Sequence, residues 1–139
     1  MNLTERQADF VIEGVKVTFF ANGWTELRRR EQIEGNLFIT ELQTLAVMKV
    51  NTLFLRAKYR DYYDLFIISQ ECFSLEELFE FTKERMNNLN KTLFQRALIF
   101  TEDITDESIQ HLRPKQQVSL SDIASHFQQQ IQIWNNPKT

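Results

Sequence analysis

The chain has 139 residues, enough for a single domain over residues 1–139 with a buried core, and its net charge of −3 excludes coating of nucleic acid by bulk positive charge. One cysteine, Cys72, excludes an internal disulfide and a multi-thiolate zinc site, and two histidines, His111 and His126, stand too far apart to suggest a metal centre. No run approaches the ~18 apolar residues of a membrane span, and the three glycines form no GxGxxG or Walker-type loop, so a soluble cytoplasmic chain without its own phosphate loop is expected.

In chain order, the β-branched and aromatic run Val15-Lys16-Val17-Thr18-Phe19-Phe20 predicts a strand over 14–20. Asn22-Gly23 signals a turn. Residues 24–34, with Arg28, Arg29 and Arg30 against Glu26, Glu31 and Glu34, read as a solvated charged run. A second strand is predicted over 36–39. Two strands are too few for an independent sheet, and their exposed edge invites cover or self-association.

Beyond Ile39 the pattern is helical. Thr40-Glu41-Leu42-Gln43, Ser74-Leu75-Glu76-Glu77 and Ser119-Leu120-Ser121-Asp122 each fit a capping box, predicting helices over 41–58, 75–87 and 120–135. Two further helices are predicted over 62–70 and 91–100. The polar segment 101–118, which contains Pro114, reads as a loop with one helical turn around Glu107 to His111. Tyr59, Tyr62 and Tyr63 are expected in the core, Cys72 as a packed thiol, and Glu76, Glu77 and Glu80 as complements to a helix dipole. The fold class is therefore α+β and predominantly helical, a short strand pair followed by a helical bundle.

Winding 41–58 at about 100° per residue places Leu42, Leu45, Ala46, Lys49, Leu53 and Arg56 on one face. Lys49 then sits in an apolar stripe, where an ammonium must snorkel, form an ion pair or line a cavity. Arg56, Lys58 and Arg60 immediately precede Asp61 and Asp64, which lie three residues apart on one helical face. A lysine facing two carboxylates suits the handling of phosphate oxygens, the carboxylate orienting the lysine or acting as a base. A purely structural role, with Asp61 as helix cap and Arg60–Asp64 as an ion pair, fits the spacing equally well.

The run Leu45-Ala46-Val47-Met48-Lys49, followed by Arg56-Ala57-Lys58-Tyr59-Arg60-Asp61-Tyr62-Tyr63-Asp64-Leu65, resembles the C-terminal motif of the AbiEii/AbiGii nucleotidyltransferase toxins. The resemblance spans residues 11–70, with Thr52 where the family usually has alanine. It implies the C-terminal part of a polymerase-β-like nucleotidyltransferase fold, acting on a nucleoside triphosphate with Mg²⁺. Lys49 matches the catalytic lysine and Asp61 the motif aspartate. Arg56, Lys58, Arg60 and Asp64 match accompanying motif positions, which serve either phosphate or nucleotide binding or structural support of the motif. Family members also carry a glycine–serine turn and paired aspartates that bind the metal. Gly14, Gly23 and Gly35 are not followed by that pattern, so this chain offers no metal ligands of that type. The resemblance thus implies a protein inactive alone, partnered by a complementary metal-binding half or a cognate antitoxin, with nucleotide or tRNA as ligand. A catalytically dead binding or regulatory module is the alternative.

Overall fold

The computed structural model describes residues 2–3, 6–21, 30–105 and 109–138, and its contacts divide the chain into two units, Met1–Ile39 and Thr40–Thr139. The first unit is made of strands. Strands β1 (Asn2–Leu3), β2 (Gln7–Ile12) and β3 (Val15–Phe20) form an antiparallel sheet in that order. β2 and β3 meet at Glu13-Gly14, where both residues have positive φ, 49° and 79°. That conformation twists a two-residue hairpin turn in the same sense as its strands. Strands β4 (Arg30–Glu34) and β5 (Leu37–Thr40) form a separate two-stranded sheet, reversing at Gly35-Asn36 with Gly35 at φ 53°.

The predicted strands at 14–20 and 36–39 both exist, but they do not pair with each other. Each pairs with its sequence neighbour, because a short hairpin closes with little loop entropy. The part of the charged run that becomes β4 is exposed along its length, so its composition hid a strand. The rest of that run, like the Asn22-Gly23 turn signal, lies outside the described residues.

The second unit is helical: α1 (Leu42–Arg56), α2 (Tyr59–Glu71), α3 (Leu75–Arg85), α4 (Lys91–Ile99) and α5 (Leu120–Asn135). A short 3-10 turn at Gln110–Leu112 interrupts the loop before α5. The turn expected around Glu107 to His111 falls partly on 106–108, which lie outside the described residues. Ser74 and Ser119 cap α3 and α5 as the sequence predicts, each paired reciprocally with Glu77 or Asp122. Thr40 does not cap α1. It ends β5 in extended conformation, the N-cap position falls to Glu41, and the Thr40 hydroxyl is buried without a hydrogen-bond partner. Cys72 is exposed rather than packed, since it falls at the C-terminal end of α2.

Tyr62, Leu65, Leu78, Phe94, Leu98, Ile123 and Phe127 fill the centre, with α1, α3 and α5 all packed on α2 or on one another. The tyrosines are core residues with hydrogen-bonded ends. Tyr59 donates to the Val118 carbonyl, Tyr63 accepts from the Gln116 N–H, and Tyr62 shares its proton between the carbonyls of Ala97 (3.0 Å) and Phe100 (2.7 Å). Burial, with Asp61's charge added, pushes the Tyr62 phenol up to about 12. Tyr62→Phe should lower stability by about 1–2 kcal/mol, because it strips the end of α4 of its donor. A urea midpoint unchanged from wild type would show that those carbonyls lose nothing.

His126 of α5 sits edge-on to Phe66 of α2, ring centroids 4.9 Å apart, with Nε2 3.0 Å from the Ser69 hydroxyl. Burial holds its pKa below the usual imidazole value. A depressed histidine binds fewer protons folded than unfolded between its folded pKa and about 6.5, so stability rises with pH across that window. As pH falls below about 6.5, wild type should lose stability that His126→Gln does not lose. Paired urea titrations measure the difference, and parallel curves would refute it.

Candidate functional site

The motif residues converge where α1 lies against the start of α2. The gap between the helices is only Ala57-Lys58, so α2 begins almost at once and Asp61 falls in its first turn.

Asp61 is 1% exposed, a buried carboxylate whose Oδ2 accepts from the Lys58 backbone N–H at 3.2 Å. Its Oδ1 lies 3.5 Å from the Lys49 ammonium, which also meets Asp64 Oδ2 at 2.5 Å. Lys49 therefore bridges two carboxylates from α2, one buried and one half-exposed. The N-terminus of α2 adds a favourable field for the Asp61 anion.

Asp61 is the third residue of α2 rather than its N-cap, since the helix starts at Tyr59 and not near residue 61. Asp64 takes Lys49 rather than Arg60 as its cation. The predicted α1 face is also divided. Ala46 enters the core and Leu53 packs against it, whereas Leu42 and Leu45 stay partly exposed and, with Lys49, line a pocket. That pocket encloses about 300 Å³ and is completed by Tyr63, Asp64, Ile67, Ile68 and Lys115. Asp61 lies behind its wall, and Arg56, Lys58 and Arg60 are not among its lining residues. Arg56 and Arg60 are exposed.

Lys115 is the site residue that the sequence did not single out. It comes from the loop read only as polar, and it pairs with Glu71 at 2.6 Å, its pKa raised by that hydrogen bond. No local pattern signals its position, because the loop is placed by Tyr63 and Gln70, which bond the backbone and side chain of Gln116. A larger apolar hollow of about 600 Å³, lined by Leu53, Phe54, Leu93, Arg96 and Phe100 among others, contains none of the motif residues.

The donor set does not fit a resident Mg²⁺. Both Asp61 oxygens are engaged, Asp64 is held by Lys49, and among the described residues no group of three or more His, Cys, Asp or Glu could hold a metal. The trio can instead hold a lysine in fixed position, with one carboxylate partner able to exchange for another anion. Among the described residues no helix is long and apolar enough to cross a membrane.

No family model and no solved structure matches the chain. An uncharacterized protein of Aquifex aeolicus (strain VF5) is 26% identical over 107 residues, covering 76% of this chain and 52% of the relative. The chain thus spans about half the length of the curated relative it matches.

Removing Asp61 leaves Lys49 with Asp64 as its carboxylate partner and takes away the buried carboxylate that bonds the Lys58 N–H at the start of α2. Asp61→Ala should cost about 2 kcal/mol, as for the loss of a buried, charge-assisted hydrogen bond. Asp64→Ala, at a half-exposed position, should cost at most about 1 kcal/mol. Denaturant titration of the two variants checks the order, and equal losses would show that burial does not set it.

Proposed function

We propose that the chain is a nucleotidyltransferase-like protein of the AbiEii toxin type that carries the phosphate-facing half of a site and transfers no nucleotide alone. The observation that supports this reading is Lys49, held by Asp61 and Asp64 at the wall of an open pocket. In this reading Asp61 is a positioning residue, fixing the lysine from behind. Asp64 gives way to a triphosphate oxygen, and Lys49 neutralises it. Two carboxylates face one ammonium, so the trio carries a net charge of −1 and an incoming triphosphate must compete with Asp64. Weak binding by the isolated chain follows. The metal-binding carboxylates belong, in this reading, to a complementary polypeptide half, and a cognate antitoxin would act on the assembled enzyme.

The alternative is a catalytically dead binding or regulatory module. The saturation of Asp61 by Lys49 and the Lys58 N–H favours it, because such a trio is also a complete structural ion pair.

Incubating the chain with labelled triphosphates, Mg²⁺ and candidate tRNA acceptors should give no transfer. Equilibrium binding of triphosphate should be weak, reduced by at least about tenfold in Lys49→Ala and tightened in Asp64→Asn, which removes the competing carboxylate. Transfer of label that Lys49→Ala abolishes would refute inactivity. Binding indifferent to Lys49→Ala would refute the phosphate-facing role and leave the module reading.

A further inference from the structure

Asp64 and Glu71 stand seven residues apart on α2, so both carboxylates project from one face, about 10 Å apart along the axis. Ile67 and Ile68 lie between them in sequence and line the pocket. Each carboxylate holds a lysine that lines the same pocket. Asp64 pairs with Lys49, and Glu71 takes Lys115 through both oxygens, at 2.6 and 2.8 Å. The two cations therefore sit at opposite ends of an aliphatic floor. Lys115 is brought there by the loop before α5. The Gln116 N–H donates to the Tyr63 hydroxyl at 2.9 Å, and the Gln116 side chain donates to Gln70 at 2.8 Å. The backbone beside Lys115 is thus pinned to α2, while its side chain stays exposed. Glu71 is exposed too and does not line the pocket. Water screens so open an ion pair, and it holds Lys115 only lightly.

We propose that Lys115 is a second anion-binding residue of this pocket, and that the ligand is a polyphosphate chain gripped by Lys49 and Lys115 at separate phosphates. This role rests on the phosphate-facing reading of Lys49 and adds to it the length of ligand that the pocket selects. Charge calls for a second cation. Lys49 against Asp61 and Asp64 leaves −1, and Lys115 brings the sum to zero. Arg56, Lys58 and Arg60 do not line the pocket, so Lys115 is the cation that the fold supplies. Reach calls for more than one phosphate. A lysine carries a compact charge on a flexible four-carbon stem, so each head can leave its half-exposed carboxylate and turn over Ile67 and Ile68. Between heads that start about 10 Å apart, one phosphate engages a single lysine closely, whereas a chain of phosphates spans both. Glu71, once released, is left in water, where a carboxylate needs no protein partner.

Isothermal titration of the full chain with inorganic tripolyphosphate reads both lysines. Lys115→Met should weaken binding at least about fivefold and Lys115→Arg should restore most of it, with an unchanged urea midpoint showing that the fold is intact. Glu71→Gln, which frees Lys115 from its competitor, should tighten binding, a gain that misfolding cannot produce. That gain should vanish in the Lys115→Met background. If it persists there, it reports general charge and the proposal is overturned. If Lys115 only anchors the loop, Glu71→Gln and Lys115→Met break the same contact and weaken binding alike, which also overturns it. So does binding that Lys49→Ala weakens and Lys115→Met leaves unchanged, an outcome that spares the phosphate-facing reading. Binding indifferent to Lys49→Ala, or absent at millimolar tripolyphosphate, would overturn that reading and the role of Lys115 with it.

Discussion

A carboxylate taken out of water must recover in the protein what it loses in hydration, and Asp61 recovers it from three directions. Lys49 supplies a charge, Lys58 supplies a backbone N–H, and the start of α2 supplies an oriented dipole. These partners come from α1, from the short link and from α2. Their simultaneous satisfaction ties the middle of α1 to the first turn of α2. Tyr62 and Tyr63, the next residues, are then carried to the end of α4 and to the loop before α5.

The pocket is a consequence of that arrangement. Lys49 turns towards α2, so Leu42 and Leu45 on the same side of α1 line a hollow instead of entering the core. The trio gives the pocket wall a cation held by one buried and one half-exposed carboxylate. The same ion pair that stabilises the helix junction therefore limits what the lysine can bind, because any anion has to compete with a carboxylate already in place.

Capping signals were legible wherever the chemistry is local. Ser74 and Ser119 bond groups three residues away, and the helices they open begin where the sequence predicts. Thr40 carried the same signal and failed, because β5 extends through it and leaves Glu41 to start the helix. Strand pairing was only half legible. Val15–Phe20 announces a strand, but QADFVI and REQIE carry too many polar residues on solvent-facing positions to do so.

The sequence by itself determined that helices follow a start holding two strands, that the tyrosines around Asp61 are core residues, and that Lys49, Asp61 and Asp64 could share a site. Periodicity and capping are short-range, so they can be read from neighbouring residues. Only the tertiary structure decided which carboxylates Lys49 meets, that Lys115 joins the same pocket, and that each strand pairs within its own hairpin. Those choices depend on which side chains remain unsatisfied once the helices pack, and packing is a property of the whole unit rather than of any segment.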